Sequence, residues 1–572
     1  MRAQSRGQYG ILQSMIRTGG QGLVGQLVRE GVREVFGIPG VQLDWAVEAL
    51  REAQDDIRFI VPRHEQAASY MADGYARTTG REGVCMVVPG PGVLNALSGL
   101  ATAWACNSRL LFLAGQIPSP TIGRGYGMLH EIADQSGILR SLTKWHALAR
   151  TPEDVPGLVH EAFAQLRSGR PRPVALELPP DVLQGTADMD FLAAAETVHA
   201  PIDRIALERA AALLRAARYP VLFAGGGVAA TGAGDVLREL AERLQAPVVM
   251  TDGARGVLSD RHPLALTTLG GRAVLPHADV VLVAGSRFLT AVAAPVCARP
   301  DCQFIYLNVE PSDMGAPRLA GLAIEGDAAL GLAALADLVA GVAKRPSREG
   351  ELVRVRQWCL KQQREICPQA DYVDALRAAL PEDGILVSEL TQVGYFANLA
   401  FPVHAPRSLL TPGYQGTLGY GYPTALGAAV GNPGRPVVSI TGDGGFGWAL
   451  QELATAARYG LNVAVVVFAD GRYGNVRRIQ RRTFGQEFAT EIYNPNFQAL
   501  AAAFGVRAAR AESPDALRTT LASVLAEGGP SLIEVPVGEM ASPWPLIHPF
   551  VPHTTPPPPN PLGEPGRMRG DR

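Results

Sequence analysis

Short apolar runs alternate with amphipathic stretches along most of this chain. Runs such as VVLVA and VAVVV are apolar at every position, as in strands that are buried on both faces of a sheet. A glycine-containing turn follows such runs and leads into a stretch with helical periodicity. Because strand–helix–strand units of this kind form parallel sheets with right-handed crossovers, the pattern predicts an α/β fold of doubly wound parallel sheets.

Three blocks of this pattern follow one another, and each is predicted to be a domain. The blocks are residues 20–185 (N-terminal), 200–343 (central) and 368–540 (C-terminal). The first and third look like variants of one α/β unit. A tail over 545–572 contains four consecutive prolines at Pro556–Pro559 and is too polar to form a core, so we interpret it as a mobile or surface-draped arm.

Composition agrees with a large enzyme and excludes some classes of protein. The 572 residues are 47% hydrophobic and carry a formal net charge of −2, so they provide no basic surface for nucleic acid. No apolar stretch approaches the roughly 20 residues of a membrane span, and the N-terminus lacks a signal-peptide pattern. Six cysteines without a CxxC pair are typical of free thiols. We therefore expect a cytoplasmic protein without a membrane segment.

Two acidic turns in the third block are the main candidate site. An apolar strand over 436–441 leads to Asp443 and a predicted helix, and a second strand over 462–469 leads to Asp470. Backbone N–H groups of Gly444 and Gly445 would face outward at the helix N-terminus, where they suit phosphate oxygens. Two carboxylates beside them suit Mg²⁺. A GDG run by itself is equally compatible with a plain strand-end turn, but the second acidic turn favours a diphosphate and metal site.

The segment from Gly442 to Asn475 resembles the thiamine diphosphate motif, in which GDG is followed about one βαβ unit later by an asparagine and a short glycine turn. This chain has Asp470 where the family usually has asparagine. The resemblance implies three metal ligands: the side chains of Asp443 and Asp470 and the backbone carbonyl of Arg472. It also implies cofactor contacts at Gly442, Asp443, Gly444, Gly445, Tyr473, Gly474 and Asn475.

A second motif, RHEQ, places Glu65 in the first turn of a helix that follows an apolar strand. An acidic residue there often does no more than complement the helix dipole. The whole segment, however, resembles the pyrimidine-binding domain of acetolactate synthase-like enzymes, in which this glutamate hydrogen-bonds the cofactor and activates it. The resemblance therefore implies that Glu65 both binds the cofactor and takes part in catalysis by general acid–base chemistry.

Other segments extend this resemblance over most of the chain. The run LTPGYQGTLGYGYPTALGAA (410–429) resembles the loop and helix that cross beneath the cofactor, where an apolar side chain holds its bent shape. FGIPG, GPG and AGQ are also similar to family motifs. These segments imply cofactor contacts at Pro39, Gly92, Gln415, Gly416 and Leu418, and a catalytic role for Gln116.

The resemblance implies thiamine diphosphate and Mg²⁺ as cofactors and a small 2-oxo acid as substrate. It also implies a homodimer or homotetramer, in which the first block of one subunit faces the third block of its partner. Acetolactate synthase is the overall pattern, so decarboxylation followed by carboligation is the default expectation. A decarboxylase that releases an aldehyde and a non-catalytic cofactor-binding paralogue stay open as alternatives.

Three local departures bear on this choice. The central block is shorter than in the FAD-containing synthases, so we expect no FAD. Leu129-His130-Glu131 replaces a Phe-Gln-Glu triplet and resembles 2-oxo acid decarboxylases such as 5-guanidino-2-oxopentanoate decarboxylase; His130 is then either a structural residue or a catalytic proton donor. Asn475 and Ile479 replace the Met and Trp of the synthases. Between them, Arg477 and Arg478 either receive an anionic substrate or lie in solvent.

Overall fold

The structure is a computed structural model that describes residues 15–288, 298–315, 320–548 and 557–564. Contacts divide the chain into two compact units. The first unit comprises Met1–Ala72, Glu82–Leu100 and Arg109–Thr197, and the second comprises Asp73–Arg81, Ala101–Ser108 and Val198–Arg572. The described residues contain three six-stranded sheets in which all strands are parallel, with helices between the strands. The predicted fold class is therefore confirmed.

The first unit contains one parallel sheet with the strand order β3-β2-β4-β5-β7-β6. Its central strands β4 and β5 are buried at every position, which explains their uninterrupted apolar sequence. A short antiparallel pair joins β1 to β8. The strands are β1 (Met15–Thr18), β2 (Glu34–Gly37), β3 (Arg58–Ile60), β4 (Gly83–Val87), β5 (Leu110–Gly115), β6 (Trp145–Leu148), β7 (Val174–Leu178) and β8 (Thr186–Met189). The helices between these strands are α1 (Gly19–Arg29), α2 (Asp44–Glu52), α3 (Glu65–Thr79), α4 (Pro91–Cys106), α5 (Gln135–Leu142), α6 (Asp154–Arg167) and α7 (Pro180–Gln184), and the last residues of α3 and α4 belong to the second unit.

The second unit contains the other two sheets. The central sheet has the order β11-β10-β9-β12-β13-β14, which is the strand order of dinucleotide-binding folds. Its strands are β9 (Pro220–Ala224), β10 (Val248–Met250), β11 (Ala265–Thr267), β12 (Val280–Ala284), β13 (Gln303–Asn308) and β14 (Leu322–Glu325). Its helices are α8 (Arg204–Ala216), α9 (Gly226–Ala230), α10 (Gly234–Leu244), α11 (Thr268–Val274), α12 (Ala328–Leu338) and α13 (Glu349–Gln363).

The third sheet has the order β16-β15-β17-β18-β20-β19. Counted within each domain, this is the same order as in the first sheet, so the two sheets share one topology, as the sequence pattern indicated. Its strands are β15 (Ile385–Ser388), β16 (Leu409–Leu410), β17 (Val437–Gly442), β18 (Val463–Ala469), β19 (Arg507–Arg510) and β20 (Ser531–Pro536). Its helices are α14 (Gln369–Ala379), α15 (Gln392–Ala400), α16 (Gly421–Gly431), α17 (Asp443–Phe446), α18 (Leu453–Tyr459), α19 (Gly474–Phe484), α20 (Phe497–Ala503), α21 (Pro514–Glu527) and α22 (Trp544–Ile547).

The proline-rich tail is described over residues 545–548, most of which lie in α22, and over 557–564, and this second part lies against the rest of the second unit. The indole N–H of Trp358 donates to the carbonyl of Pro558 at 3.0 Å. The side-chain amide of Asn560 donates to the carbonyl of Ala273 at 3.1 Å, and Leu562 packs on the core. These contacts agree with a surface-draped arm; the rest of the tail from residue 549 lies outside the described residues. In the part of the chain that is described, no helix is long and apolar enough to cross a bilayer.

Candidate active site

The two acidic turns of the third sheet lie side by side. β17 and β18 are adjacent parallel strands, so the residues that follow them meet at one edge of the sheet. Asp443 is buried, and its Oδ2 accepts hydrogen bonds from the N–H of Gly471 and from Nδ2 of Asn494, both at 2.7 Å. Asp470 Oδ2 accepts a hydrogen bond from Nε2 of Gln392 at 3.0 Å. The carboxylate of the first turn therefore holds the backbone of the second.

The electrostatics of this pair suit a cation. Burial, together with the nearby negative charge of Asp443, raises the pKa of Asp470 to about 6. The described residues contain no cluster of three or more His, Cys, Asp or Glu side chains that would enclose a metal by itself. A metal here would complete its coordination with carbonyl, phosphate and water oxygens, which is how Mg²⁺ binds. Beside the turn, the N–H of Tyr473 donates to the carbonyl of Thr490, and the carbonyl of Gly471 accepts from the N–H of Ile492. The carbonyl of Arg472, which lies between them, takes no part in these backbone hydrogen bonds. The donor set thus fits Mg²⁺.

Three glycines are required where the turns pack together. A Cβ on Gly445 would lie 2.0 Å from Glu389 Oε1, and one on Gly444 would lie 2.9 Å from a ring carbon of Tyr473. A Cβ on Gly474 would lie 2.8 Å from Asp470 Oδ2. One expectation about this turn is wrong: the N–H of Gly444 does not face outward but donates to Oδ1 of Asp443 at 3.0 Å, because the side chain of Asp443, the first residue of α17, accepts from the first turn of the helix.

The loop between β16 and α16 presents the other cofactor residues expected in this domain. Gln415 is exposed, and the side chain of Leu418 is 41% exposed. Gly416 has a φ of +59°, and a Cβ there would lie 2.9 Å from Leu390. An apolar side chain at the surface beside a tight glycine turn is compatible with the predicted contact between Leu418 and the cofactor, which stays a prediction.

Glu65 is the first residue of α3, as the RHEQ motif predicted. Its Oε2 accepts a hydrogen bond from Nδ2 of Asn95 at 3.1 Å. Its side chain is partly exposed and therefore accessible to a ligand. Nearby in sequence, Pro39 is exposed, whereas Gly92 is buried and a Cβ there would lie 2.6 Å from Val88. Packing against Val88 is therefore enough to explain a glycine at position 92.

Gln116 belongs to a buried hydrogen-bond network in the first unit. Its Nε2 donates to Oε2 of Glu177 at 2.6 Å, and its Oε1 accepts from the N–H of Ile117 at 2.8 Å. Glu177, fully buried, also accepts from Nε2 of Gln135 at 2.9 Å, and its Oε1 lies 2.6 Å from Nε2 of His146. Burial opposes ionisation of Glu177, but hydrogen bonds from His146, Ser136 and Gln135 hold its pKa below the usual range. Both polar atoms of the Gln116 side chain are thus engaged.

His130 lies in a glycine-rich loop with an unusual backbone. Its φ is +69°, a region that histidine tolerates better than most side chains, and Gly123, Gly125 and Gly127 also have positive φ. Nε2 of Gln42 donates to the carbonyl of Leu129 at 3.2 Å and so holds the backbone of this loop. Among the described residues, the buried Nδ1 of His130 has no hydrogen-bond partner. The structure therefore fixes the backbone at this histidine but not its ring.

Asn475 and the two arginines of α19 are engaged by neighbouring side chains. Asn475 Oδ1 accepts a hydrogen bond from the indole N–H of Trp544 at 3.2 Å. Arg477 Nε donates to Glu487 at 2.5 Å, and Arg478 Nη1 donates to the hydroxyl of Ser542 at 2.7 Å. Both arginines therefore have partners, so neither of the roles expected for them, free in solvent or reserved for substrate, describes them fully. The side chain of Ile479 is exposed.

Family models match each of the three domains. The N-terminal TPP binding domain of thiamine pyrophosphate enzymes matches residues 17–138, the central domain matches 207–335, and the C-terminal TPP binding domain matches 390–535. The chain belongs to the thiamine pyrophosphate enzymes. Glu65 lies in the N-terminal match, and Asp443 and Asp470 lie in the C-terminal one. The family recognised from the motifs is thereby confirmed.

Relatives within the thiamine pyrophosphate enzymes include two kinds of enzyme. "Probable 2-ketoarginine decarboxylase AruI" of Pseudomonas aeruginosa is 35% identical and covers 91% of this chain and 94% of its own length. A "Probable acetolactate synthase large subunit" of Methanocaldococcus jannaschii is 32% identical and covers 93% of each chain. The acetolactate synthase isozyme 1 large subunit of Escherichia coli is also 32% identical, over 94% of this chain and 97% of its own.

Two residues of the site escaped the sequence analysis. Asn494 donates to Asp443 from a position 51 residues further along the chain, and Gln392 donates to Asp470 from a position 78 residues earlier. Neither belongs to a recognisable motif, and an amide side chain after a strand is a weak signal by itself. Gln392 begins α15 directly after β15, so its place at the same sheet edge was the one available clue.

Proposed function

We propose that this chain is a Mg²⁺- and thiamine diphosphate-dependent enzyme that decarboxylates a 2-oxo acid. The observation that carries the proposal is the interlocked pair of turns at Asp443 and Asp470, which offers oxygen ligands at the carboxyl edge of a parallel sheet. The metal ligands are Asp443, Asp470 and the carbonyl of Arg472. Thiamine diphosphate, when bound, would supply an electron sink for the electron pair of the C–C bond that breaks as CO₂ leaves.

Glu65 is the proposed general acid–base group. Its position at the start of α3 leaves the carboxylate partly exposed, held by one hydrogen bond from Asn95. It would bind N1′ of the cofactor's pyrimidine and hold a proton there. Gln116, with both amide atoms engaged, supports the site by holding Glu177 and the segment after β5. Its proposed role is therefore to position neighbouring groups.

For the fate of the product we favour release of an aldehyde. The loop of Leu129, His130 and Glu131 resembles decarboxylases, and a 2-ketoarginine decarboxylase is among the relatives. Nδ1 of His130 has no hydrogen-bond partner among the described residues, so no structural hydrogen bond occupies it, and the proposed role of this imidazole is to donate a proton to the product. By analogy with that relative, a 2-oxo acid with a guanidinium tail is the first substrate to test.

Carboligation of the acetolactate synthase type is the second candidate. It is favoured by several synthase subunits that are about 32% identical over more than nine tenths of the chain. The exposed Ile479 stands where the synthases have a tryptophan that sets the preference for the second substrate, and this departure weakens the candidate. This candidate was the default expectation from the sequence.

A panel of 2-oxo acids distinguishes the two. Pyruvate, 2-oxobutanoate and 2-ketoarginine are each incubated with enzyme, Mg²⁺ and thiamine diphosphate, with and without a second 2-oxo acid, and the products are identified by mass spectrometry. Aldehyde without ligated product supports our proposal, whereas 2-hydroxy-2-methyl-3-oxo acids from pyruvate would establish ligation. Absence of turnover and of C2–H exchange would indicate a non-catalytic paralogue.

We also propose a homodimer or homotetramer without FAD. The assembly is the one that the family resemblance implies, and the absence of FAD rests on the short central segment around 267–288. Light scattering after size-exclusion chromatography tests the assembly. A monomer that retained full activity would contradict it.

A further inference from the structure

A buried carboxylate outside the expected site connects two segments of the C-terminal domain. Glu389 follows β15 and is 2% exposed. Its Oε1 accepts a hydrogen bond from the N–H of Gly419, and its Oε2 accepts from the N–H of Gly421, both at 2.9 Å. Oε2 also accepts from the hydroxyl of Thr441, at 2.9 Å. One side chain thus joins the loop after β16 to the end of β17.

The same carboxylate packs against the turn that carries Asp443. A Cβ on Gly445 would lie 2.0 Å from Glu389 Oε1, so the backbone of the turn lies directly on this oxygen. Thr441, which donates to Oε2, precedes Asp443 by two residues on β17. The position of Glu389 is therefore coupled to that of the diphosphate turn.

The described hydrogen-bond donors to Glu389 are neutral: two backbone amides and one hydroxyl. Burial raises the pKa of Glu389, and these donors offset the effect only in part. A carboxylate that is buried without a positively charged partner costs free energy, and an apolar side chain of similar size would avoid this cost. What the carboxylate does, and an apolar side chain does not, is accept from all three donors at once.

Residues of α3 and α4 also contact the same loop. Arg77 Nη1 donates to the hydroxyl of Tyr420 at 2.9 Å, and the hydroxyls of Thr102 and Thr417 lie 3.1 Å apart. Gly419 and Gly421, the two residues bound by Glu389, flank Tyr420. Leu418 immediately precedes them and is thus an exposed residue of a segment that several hydrogen bonds hold in place.

We propose that Glu389 is a positioning residue for the cofactor site: it sets Leu418 and the turn at Asp443 at a fixed separation before any ligand binds. The inference rests on the proposed function in one respect, that these two segments bind thiamine diphosphate. Pre-formed segments cost less ordering on binding, so the carboxylate raises affinity without touching the ligand.

The test replaces Glu389 by glutamine and measures the Kd of thiamine diphosphate in excess Mg²⁺ by titration calorimetry. Glutamine has the same shape and keeps one acceptor oxygen, but its NH₂ group cannot accept, so at least one of the hydrogen bonds from Gly419, Gly421 and Thr441 is lost. We expect affinity to fall roughly tenfold to a hundredfold, the effect of losing a hydrogen bond to a charged group. Glu452→Gln is the matched control, since Glu452 is also fully buried and accepts from Thr455 at 2.6 Å. We expect its Kd to stay close to the wild-type value.

Wild-type affinity in Glu389→Gln would overturn the inference, because the carboxylate would then have no effect on binding. An equal loss of affinity in Glu389→Gln and Glu452→Gln would also overturn it, because any buried glutamate of the domain would then have the same effect. If Glu389→Gln does not fold, Thr441→Val removes one donor and Thr441→Ser restores it. Ser439→Ala is the control on the same strand, because the buried Ser439 hydroxyl has no hydrogen-bond partner among the described residues. Loss in Thr441→Val with recovery in Thr441→Ser supports the inference, and wild-type affinity in Thr441→Val contradicts it.

These readouts do not depend on turnover. A wild-type protein that binds no thiamine diphosphate would refute the proposed function itself. A wild-type protein that binds it, together with unaffected variants, would refute only the role of Glu389.

Discussion

Replacing Glu65 by glutamine is expected to abolish most of the activity while leaving fold and cofactor binding intact. In the structure, Glu65 makes one described side-chain hydrogen bond, from Asn95 at 3.1 Å, and a glutamine oxygen accepts this bond equally well. The lost charge at the start of α3 weakens the helix-dipole interaction by about 0.3–1 kcal/mol. The free energy of unfolding should therefore fall by no more than about 1 kcal/mol.

The catalytic loss should be much larger. General acid–base groups contribute about 10²- to 10⁴-fold, which corresponds to roughly 3–5 kcal/mol of activation free energy. Because this exceeds the expected change in stability several-fold, the two effects are separable. The assay is the rate of H/D exchange at C2 of bound thiamine diphosphate, followed by NMR after acid quench, together with kcat for the best substrate and the Kd of the cofactor.

Asp44→Asn is the matched control for Glu65→Gln. Asp44 is exposed and is the first residue of α2, so its replacement removes the same kind of helix-dipole interaction in the same unit. We expect wild-type exchange and turnover in this variant. Exchange in Glu65→Gln close to the wild-type rate, or an equal loss in Asp44→Asn, would refute the reasoning.

Three further predictions follow from the site and the central domain. Mg²⁺ with thiamine diphosphate should raise the melting temperature by mass action, EDTA should reverse the gain, and Asp443→Ala should abolish it; unchanged cofactor affinity in this variant would contradict the metal assignment. Purified protein should show no flavin absorption, and one flavin per chain would return the assignment to an FAD-containing synthase. In His130→Asn, the asparagine tolerates the φ of +69° but cannot donate a proton as the imidazole would. Ligated product should therefore increase at the expense of aldehyde. An unchanged ratio of the two products would mean that His130 has only a structural role.

The fold could be predicted because strands buried on both faces leave a strong pattern in the sequence. The predicted strands over 436–441 and 462–469 differ by one residue or less at each end from β17 (Val437–Gly442) and β18 (Val463–Ala469). Glu65 was placed at the start of a helix from the strand and turn before it, and α3 begins there. In each case the residues next to one another in the sequence determine where the strand or helix begins and ends.

The hydrogen-bond partners of the site could not be predicted in the same way. Gln116 was expected to be catalytic from its motif, but its role in the structure depends on Glu177, which is 61 residues away. Glu389 drew no attention because a single glutamate after a strand has no distinguishing neighbours. Its burial depends on Gly419, Gly421 and Thr441, which come together only when the sheet and the loop have formed.

The glycine-rich sequence of the C-terminal domain has one physical explanation. Gly419, Gly421, Gly444 and Gly471 each donate a backbone N–H to a carboxylate oxygen of Glu389 or Asp443, at 2.7 to 3.0 Å. At Gly421 a Cβ would lie 2.9 Å from Glu389 Oε2, closer than real Cβ atoms approach. Gly419 and Gly471 have φ of +78° and +67°, and a Cβ on Gly444 would lie 2.9 Å from a ring carbon of Tyr473, so the backbone that brings these donors to the carboxylates favours glycine. These glycines therefore indicate, before any ligand is considered, that backbone N–H groups hold the carboxylates of Glu389 and Asp443 at this edge of the sheet. In the proposed function, a metal and a diphosphate would bind beside acidic groups that the backbone has already fixed in place.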